Sequence, residues 1–116
     1  MTLRPVTWVG SSLRDTRAMP EAAKEVIGHA LHRAQHGAHH PGVKPLKGMP
    51  GVYEIVADIA TDTYRLVYVV GLPDAVYVLH AFKKKSISGI ATRKKDIDLI
   101  RSRLRQAKEV SDERSR

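Results

Sequence analysis

The sequence predicts an α+β fold in which helices cover one face of an antiparallel sheet. Three short segments rich in β-branched and other apolar residues follow one another with brief turns between them, which is typical of an antiparallel meander. Segments with apolar residues at helical spacing lie before and after these strands. The predicted order of elements is β-α-α-β-β-β-α.

The N-terminal part predicts a strand and a short helix. Residues 3–9 are rich in β-forming side chains, and Pro5 favours the edge of a sheet because it has no N–H to donate. Ser12 and Asp15 fit a capping box, which predicts a helix over 11–18.

The second helix combines an apolar stripe with a histidine-bearing surface. His29, His32 and His36 fall on the side opposite the stripe, so we expect them to face solvent. They form either a solvated polar face or a metal site completed by His39 or His40. No carboxylate or cysteine completes the ligand set, so we expect no metal. The stripe consists of Ala23, Val26, Ile27, Ala30, Leu31 and Ala34.

The second half of the chain predicts a loop, a meander and a long helix. Residues 38–51 contain three prolines and three glycines and predict the loop. Thr92 is a candidate N-cap for the last helix. This helix has one apolar face, and its other faces carry Arg101, Arg103, Arg105 and Lys108. We expect one domain over 1–110 and a frayed polar tail over 111–116. The predicted strands cover 52–59, 64–70 and 75–83.

Composition restricts the classes of function. The absence of cysteine excludes disulfide and thiolate chemistry, and no apolar run approaches the roughly 20 residues that span a bilayer, so we expect a cytoplasmic protein that uses no membrane. The net charge is +8 and the pI is about 10.1. Residues 83–108 hold ten lysines and arginines against two aspartates, which accounts for all of the net charge and indicates a polyanionic partner.

Cationic side chains on adjacent strands are the candidate chemistry, because no nucleotide-binding or hydrolase motif is present. Arg65 lies within an apolar strand, and it could form a buried salt bridge with Glu54, bind an anion, or do both. Strict alternation places His80 on the strand face of Val76, Val78 and Phe82. There it is either a core histidine with a satisfied hydrogen bond or an acid–base group.

Three consecutive lysines, 83 to 85, end the last strand directly before Ser86. They are either a solvated strand end or an anion-binding site. Their position directly after a core strand favours the anion site. The preceding loop adds Lys44 and Lys47 next to the sheet.

Taken in order, these motifs resemble a known family. They are Leu46-Lys-Gly48, Tyr53-Glu-Ile55, Tyr64-Arg65 with Tyr68, and Leu79-His-Ala-Phe82 followed by Lys84-Lys85-Ser86. Over about residues 4 to 107, their order resembles HigB-type toxins of the RelE/ParE superfamily, close to its phage-derived branch. The family often has Thr-Pro after the lysine pair, whereas Thr92 here is followed by Arg93. The resemblance implies a small twisted antiparallel sheet, two N-terminal helices and a basic C-terminal helix.

The resemblance also implies a metal-independent endoribonuclease, without a cofactor, that cuts mRNA in the ribosomal decoding site. In that chemistry Arg65 and Lys84 would stabilise the attacked phosphate, and His80 would act as acid or base. A lysine crowded by cations could replace His80 as the base. The implied partners are a helix-turn-helix, HigA-like antitoxin, the ribosome and mRNA. The expected RNA and ribosome contacts are Lys47, Lys83, Lys85, Arg93, Lys94, Lys95, Arg101 and Arg105.

Two other functions remain open on the sequence. A ParE-like toxin would inhibit gyrase and cut no RNA. A non-catalytic nucleic-acid-binding module is disfavoured, because we find no helix-turn-helix pattern and only one Phe and one Trp for stacking on bases.

Overall fold

A computed structural model describes residues 3–84 and 92–116 of the chain. Within these residues no helix is both long and apolar enough to cross a membrane. The described elements are β1 (Val6–Trp8), α1 (Ser12–Arg17), α2 (Glu21–Gln35), β2 (Val43–Pro45), β3 (Val52–Ile59), β4 (Asp62–Val69), β5 (Val76–Lys84) and α3 (Lys94–Arg114).

The strands form one mixed sheet in the order β1-β5-β4-β3-β2. β3, β4 and β5 form the predicted antiparallel meander. β1 lies at one edge of the sheet, as Pro5 suggests. It runs parallel to β5, and the chain between these two strands, which includes α1, α2 and the rest of the meander, makes the long connection that a parallel pair requires. β2 forms the other edge, inside the segment predicted as a loop, where only three residues pair with β3. The prediction of a purely antiparallel sheet is therefore wrong at the β1 edge.

Helices cover both faces of the sheet, whereas the sequence predicted one covered face. On the first face, Ile27 and Leu31 of α2 belong to a buried cluster that includes Leu66 of β4. On the opposite face, Ile100 of α3 belongs to a second cluster that includes Val67 of β4. The central strands are buried on both sides, which explains the continuous apolar runs at the end of β4 and at the start of β5.

The predicted stripe of α2 is confirmed, and His29, His32 and His36 are exposed as expected. Across residues 3–84 and 92–116, no group of three or more His, Cys, Asp or Glu side chains is placed to hold a metal ion. The buried stripe residues are Ala23, Ile27, Ala30, Leu31 and Ala34.

Two predicted helix starts are displaced by one residue each. The N-cap of α1 is Ser11 instead of Ser12, and its hydroxyl donates to Asp15 Oδ2 at 2.8 Å. The N-cap of α3 is Arg93 instead of Thr92. The Thr92 side chain is used elsewhere, in a hydrogen bond to Glu54 of β3.

The last helix extends beyond the expected end of the folded region. α3 continues to Arg114, and Ser111 is buried. Ser111 Oγ donates to Asp74 Oδ1 at 2.5 Å, which ties this end of α3 to the turn before β5. The segment expected to be a frayed tail is thus largely helical, because its polar residues have partners on the sheet.

A β-bulge at Leu79 determines which side chains of β5 face α3. Val78 pairs with Tyr68 and His80 pairs with Val67, so Leu79 has no opposite residue in β4. Because the extra residue shifts the alternation by one position, His80 lies on the α3 face and Val78 lies on the α2 face. The predicted face of His80 is therefore wrong with respect to Val76 and Val78, since strict alternation does not continue across a bulge. It is confirmed with respect to Phe82, which lies beyond the bulge on the same face as His80.

Candidate active site

Arg65 lies in the middle of β4 on the α3 face and is only 6% exposed. Its Nη1 donates to Glu54 Oε1 at 2.7 Å, and Thr92 Oγ1 donates to Glu54 Oε2 at 3.1 Å. The salt-bridge alternative for Arg65 is confirmed. Arg65 Nε has no hydrogen-bond partner among the described residues, so part of the guanidinium is not used by Glu54.

His80 is buried on the same face and forms a pair with the first turn of α3. Its Nε2 lies 2.8 Å from Asp96 Oδ1, and both side chains are less than a tenth exposed. An ionised carboxylate can only accept, so Nε2 carries the proton and Nδ1 is the ring nitrogen with a free lone pair when the ring is neutral. Nδ1 has no partner within the described ranges, and the ring stacks on Phe82 with centroids 4.6 Å apart.

Lys84 ends β5 opposite Thr63, with its side chain on the α3 face. Its Nζ is buried and has no hydrogen-bond partner in the part of the chain that the structure describes. Burial lowers the pKa of this amine, and the charges of Arg65 and Lys44 lower it further, against an opposing effect of Glu54. Lys84 is thus a cation whose charged form is disfavoured by its surroundings.

A cleft of about 310 Å³ lies beside these residues, between β2, β3, β4 and the start of α3. Lys44 and Lys47 lie on one side of it, and the Arg65–Glu54 pair and Thr92 lie on the other. A larger cavity of about 440 Å³ lies on the opposite face, near α1. We place the candidate site in the smaller cleft, because that one contains the partly unpaired cation Arg65 and two further lysines.

The three residues predicted as catalytic lie on one face of the sheet, but they occupy different positions along the paired strands β4 and β5. Arg65 pairs across the strands with Phe82, His80 with Val67, and Lys84 with Thr63. Arg65 and Lys84 interact through their charges, and His80 lies further along the strand, toward Asp96.

The predicted RNA contacts are spread over several surfaces. Lys47 lines the cleft. Lys83 lies on the opposite sheet face, with Nζ 3.4 Å from Asp62 Oδ2. Lys85 lies outside the described residues. The contacts on or beside α3, all exposed, are Arg93, Lys94, Lys95, Arg101 and Arg105.

Two of these α3 cations have acidic partners on the same helix. Arg93 Nε lies 3.5 Å from Asp96 Oδ2, and Lys94 Nζ lies 3.0 Å from Asp98 Oδ2. Because both cations are exposed, these pairs contribute little to stability and leave the surface positive overall.

A comparison with protein families matches residues 14–105 to the family described as phage-derived protein Gp49-like (DUF891). The chain belongs to this family. Among solved structures, a double mutant of the Escherichia coli toxin RelE in its free state shares 22% identity, covers 69% of this chain and 82% of its own, and has a TM-score of 0.52. At this identity the likeness shows that the Gp49-like protein has the RelE fold. A comparison with curated proteins gives no match.

These matches confirm the predicted fold class and the predicted relation to phage-derived proteins. The narrower assignment to HigB-type toxins stays a prediction. The roles of individual site residues also stay predictions.

The structure adds Asp96 to the site of this Gp49-like protein. An acidic residue in the first helical turn is ordinarily explained by the helix dipole, so no sequence pattern indicated that Asp96 would pair with His80. The available signal was indirect, since both residues occupy positions that face a core.

Arg103 is a further correction. The sequence placed it on an outer face of the last helix with its basic neighbours, but it is only partly exposed. Its Nη1 donates to the Leu79 carbonyl oxygen at 2.9 Å, and its Nη2 donates to Ser11 Oγ at 3.1 Å. It therefore connects α3 to β5 and to the start of α1.

Proposed function

We propose that this Gp49-like protein is the toxin of a type II toxin–antitoxin pair and that it cuts mRNA without a metal ion. The observation that carries the proposal is Lys84, whose buried Nζ has no hydrogen-bond partner in the described structure and interacts through its charge with Arg65 and Lys44, two residues that line the cleft. A costly buried charge of this kind is typical of functional sites. The RelE fold and the phage-derived family support the same class of protein.

In the proposed reaction the Nζ of Lys84 takes the proton of the RNA 2′-OH. The 2′-oxygen then forms a bond to the adjacent phosphorus, and the bond from phosphorus to the 5′-oxygen breaks. The lowered pKa of Lys84 supports the role of base, because a larger fraction of the amine is neutral before the reaction. Once protonated, the ammonium stabilises the negative charge that develops on the phosphate.

The neighbouring residues would divide the remaining tasks. Arg65 lowers the pKa of Lys84 through its charge, and its Nε has no hydrogen-bond partner among the described residues. His80, as the imidazolium, would give its Nδ1 proton to the leaving 5′-oxygen, while Asp96 accepts from Nε2 and holds the ring. Lys44 and Lys47 would hold the RNA backbone in the cleft.

The proposal extends to partners. Exposed Arg101 and Arg105 on α3 suit contact with the backbone of ribosomal RNA, which does not require sequence readout. We propose ribosome-bound mRNA as the substrate and a helix-turn-helix, HigA-like antitoxin as the partner that neutralises the basic surface.

Induced expression followed by mapping of mRNA 5′ ends tests the proposal. We expect new 5′ ends in wild type and a loss of cleavage on the order of a hundredfold or more in Lys84→Met. Lys108→Met, an exposed lysine on α3 outside the cleft, is the matched control and should cleave normally. Growth arrest with intact mRNA and damaged DNA would instead identify a gyrase inhibitor and refute the proposal.

The choice of variant matters, because Arg65→Ala would leave Glu54 buried without its partner and destabilise the fold. Loss of activity in that variant would not separate chemistry from folding. The pH dependence gives a second test: on the acidic side of its optimum the cleavage rate should rise with pH, because a larger fraction of the Lys84 amine becomes neutral, with a pKa below its usual 10.5.

A further inference from the structure

The phase of β5, meaning which of its residues face α3 and which face α2, decides which lysine lies on the same face as Arg65. Lys83 and Lys84 are neighbours on a strand and point to opposite faces. If β5 were regular from its start, the bulged residue Leu79 would pair with β4 and every later side chain would change face. Lys83 would then face α3, and Lys84 would face α2.

Arg103 contacts the bulged residue itself. Its guanidinium donates to the Leu79 carbonyl oxygen and, through the second terminal nitrogen, to Ser11 Oγ. Ser11 in turn donates to Asp15 Oδ2, so the arginine is held from two sides. A forked donor can bridge two acceptors in fixed directions, which a single ammonium cannot do.

Gly10 provides the space for this contact. A Cβ at Gly10 would lie 2.8 Å from the guanidinium carbon of Arg103, closer than such contacts allow. Gly10 also has a φ of +57°, which residues other than glycine rarely adopt. The start of α1 is thus shaped around the arginine.

We propose that Arg103 is a positioning residue that holds the β5 bulge and thereby directs Lys84, instead of Lys83, to the α3 face of the sheet, beside Arg65. The inference rests on the proposed function for its catalytic consequence, although the structural part stands alone. Arg103 differs from its exposed neighbours Arg101 and Arg105, which have no such contact to the sheet among the described hydrogen bonds.

Residue-resolved amine labelling tests the structural part without any need for RNA cleavage. Brief acylation of the folded protein, read by fragmentation mass spectrometry, should modify exposed Lys83 much faster than Lys84, whose Nζ is buried in wild type. In Arg103→Met the ratio of Lys84 to Lys83 labelling should rise. Gly10→Ala should raise it too, because the new Cβ displaces the guanidinium while the arginine remains.

Two outcomes overturn the proposal at this stage. An unchanged labelling ratio in Arg103→Met would show that Arg103 does not hold the phase of β5, provided that circular dichroism shows the fold intact. If Arg103→Met does not fold, an unchanged ratio in folded Gly10→Ala has the same meaning. Lys108→Met should label like wild type and controls for loss of charge on α3.

Cleavage kinetics on mRNA bound to ribosomes test the consequence. A misplaced catalytic group costs on the order of a hundredfold in kcat, so we expect that loss in Arg103→Met with little change in KM. Arg103→Lys keeps the charge but loses the fork, and it should lose kcat as well. A rise in KM with kcat preserved would show that Arg103 only attracts RNA, which overturns the inference. If wild type cuts no RNA, the proposed function fails, and labelling alone decides the role of Arg103.

Discussion

Replacing Lys84 with methionine should make the protein more stable while removing its activity. The Nζ of Lys84 is buried, it has no partner within the described residues, and its pKa is lowered by burial and by Arg65. Methionine has a similar length and fills irregular space without a charge. The substitution therefore removes an unfavourable buried group and keeps most of the packing along the stem.

The size of the gain follows from the cost of a buried polar group without a partner, which is about 1–3 kcal/mol. Lys84 as a whole residue is only partly buried, so solvent screening reduces the cost, and we expect about 1–2 kcal/mol of added stability. For a chain of this size that gain corresponds to a rise in Tm of roughly 4–8 °C.

Urea and thermal unfolding of the purified proteins measure the effect, with Lys83→Met as the control. Lys83 is 48% exposed in its side chain and lies on the opposite face, so its loss should change the free energy of unfolding by less than about 0.5 kcal/mol. A Lys84→Met protein that is no more stable than wild type would refute the argument that this charge is costly. A stabilised protein that still cuts mRNA would show that the cost has no catalytic purpose.

Three further predictions concern the salt bridge, the acid limit of stability and the basic helix. Glu54→Gln should destabilise the fold by about 3–5 kcal/mol in urea unfolding, because Arg65 then remains buried and charged, and adding Arg65→Met should recover part of that stability. Burial alone would raise the pKa of Asp74, but the hydrogen bonds that its carboxylate accepts lower the pKa overall. The ionised carboxylate therefore stabilises the fold above about pH 4, and this stabilisation is lost as the pH falls through the folded pKa. Asp74→Asn should flatten the dependence of the unfolding free energy on pH between about pH 5 and pH 3. Replacing Arg101 and Arg105 with glutamine should reduce the log–log salt dependence of ribosome binding by roughly one unit for each phosphate that these arginines neutralise, and an unchanged slope would show that this helix face only meets solvent.

The parts of the fold that depend on local pattern could be predicted from the sequence. The α2 stripe follows from helical spacing, and the β3–β5 meander follows from β-forming segments separated by short turns. β2 could not be predicted, because three residues that include a proline, within a segment rich in proline and glycine, carry no strand pattern. The second covered face was missed because nothing in the helix patterns states which side of a sheet each helix will occupy.

The sequence predicted contacts of the site that lie within the sheet, but it did not predict the contacts between the sheet and α3. Arg65 and Glu54 could be paired because adjacent strands of a hairpin place them close together. The pairing of His80 with Asp96 depends on how α3 docks on the sheet, which no local pattern encodes. The position of Arg103 was missed for the same reason.

The sequence did not predict the bulge in β5 or the faces that its later residues occupy. Leu79 and its neighbours are apolar enough for either face of the sheet, since both faces are buried, so the sequence pattern is nearly indifferent to a shift by one residue. The phase must therefore be set by contacts from outside the strand, and the arginine at the bulge provides one. The strand ends in lysines that take different faces according to that phase, and one of them carries a buried charge without a described partner. A fold selected for stability alone would have no reason to keep both the bulge and the buried amine, so their occurrence on one strand favours a function that uses them together.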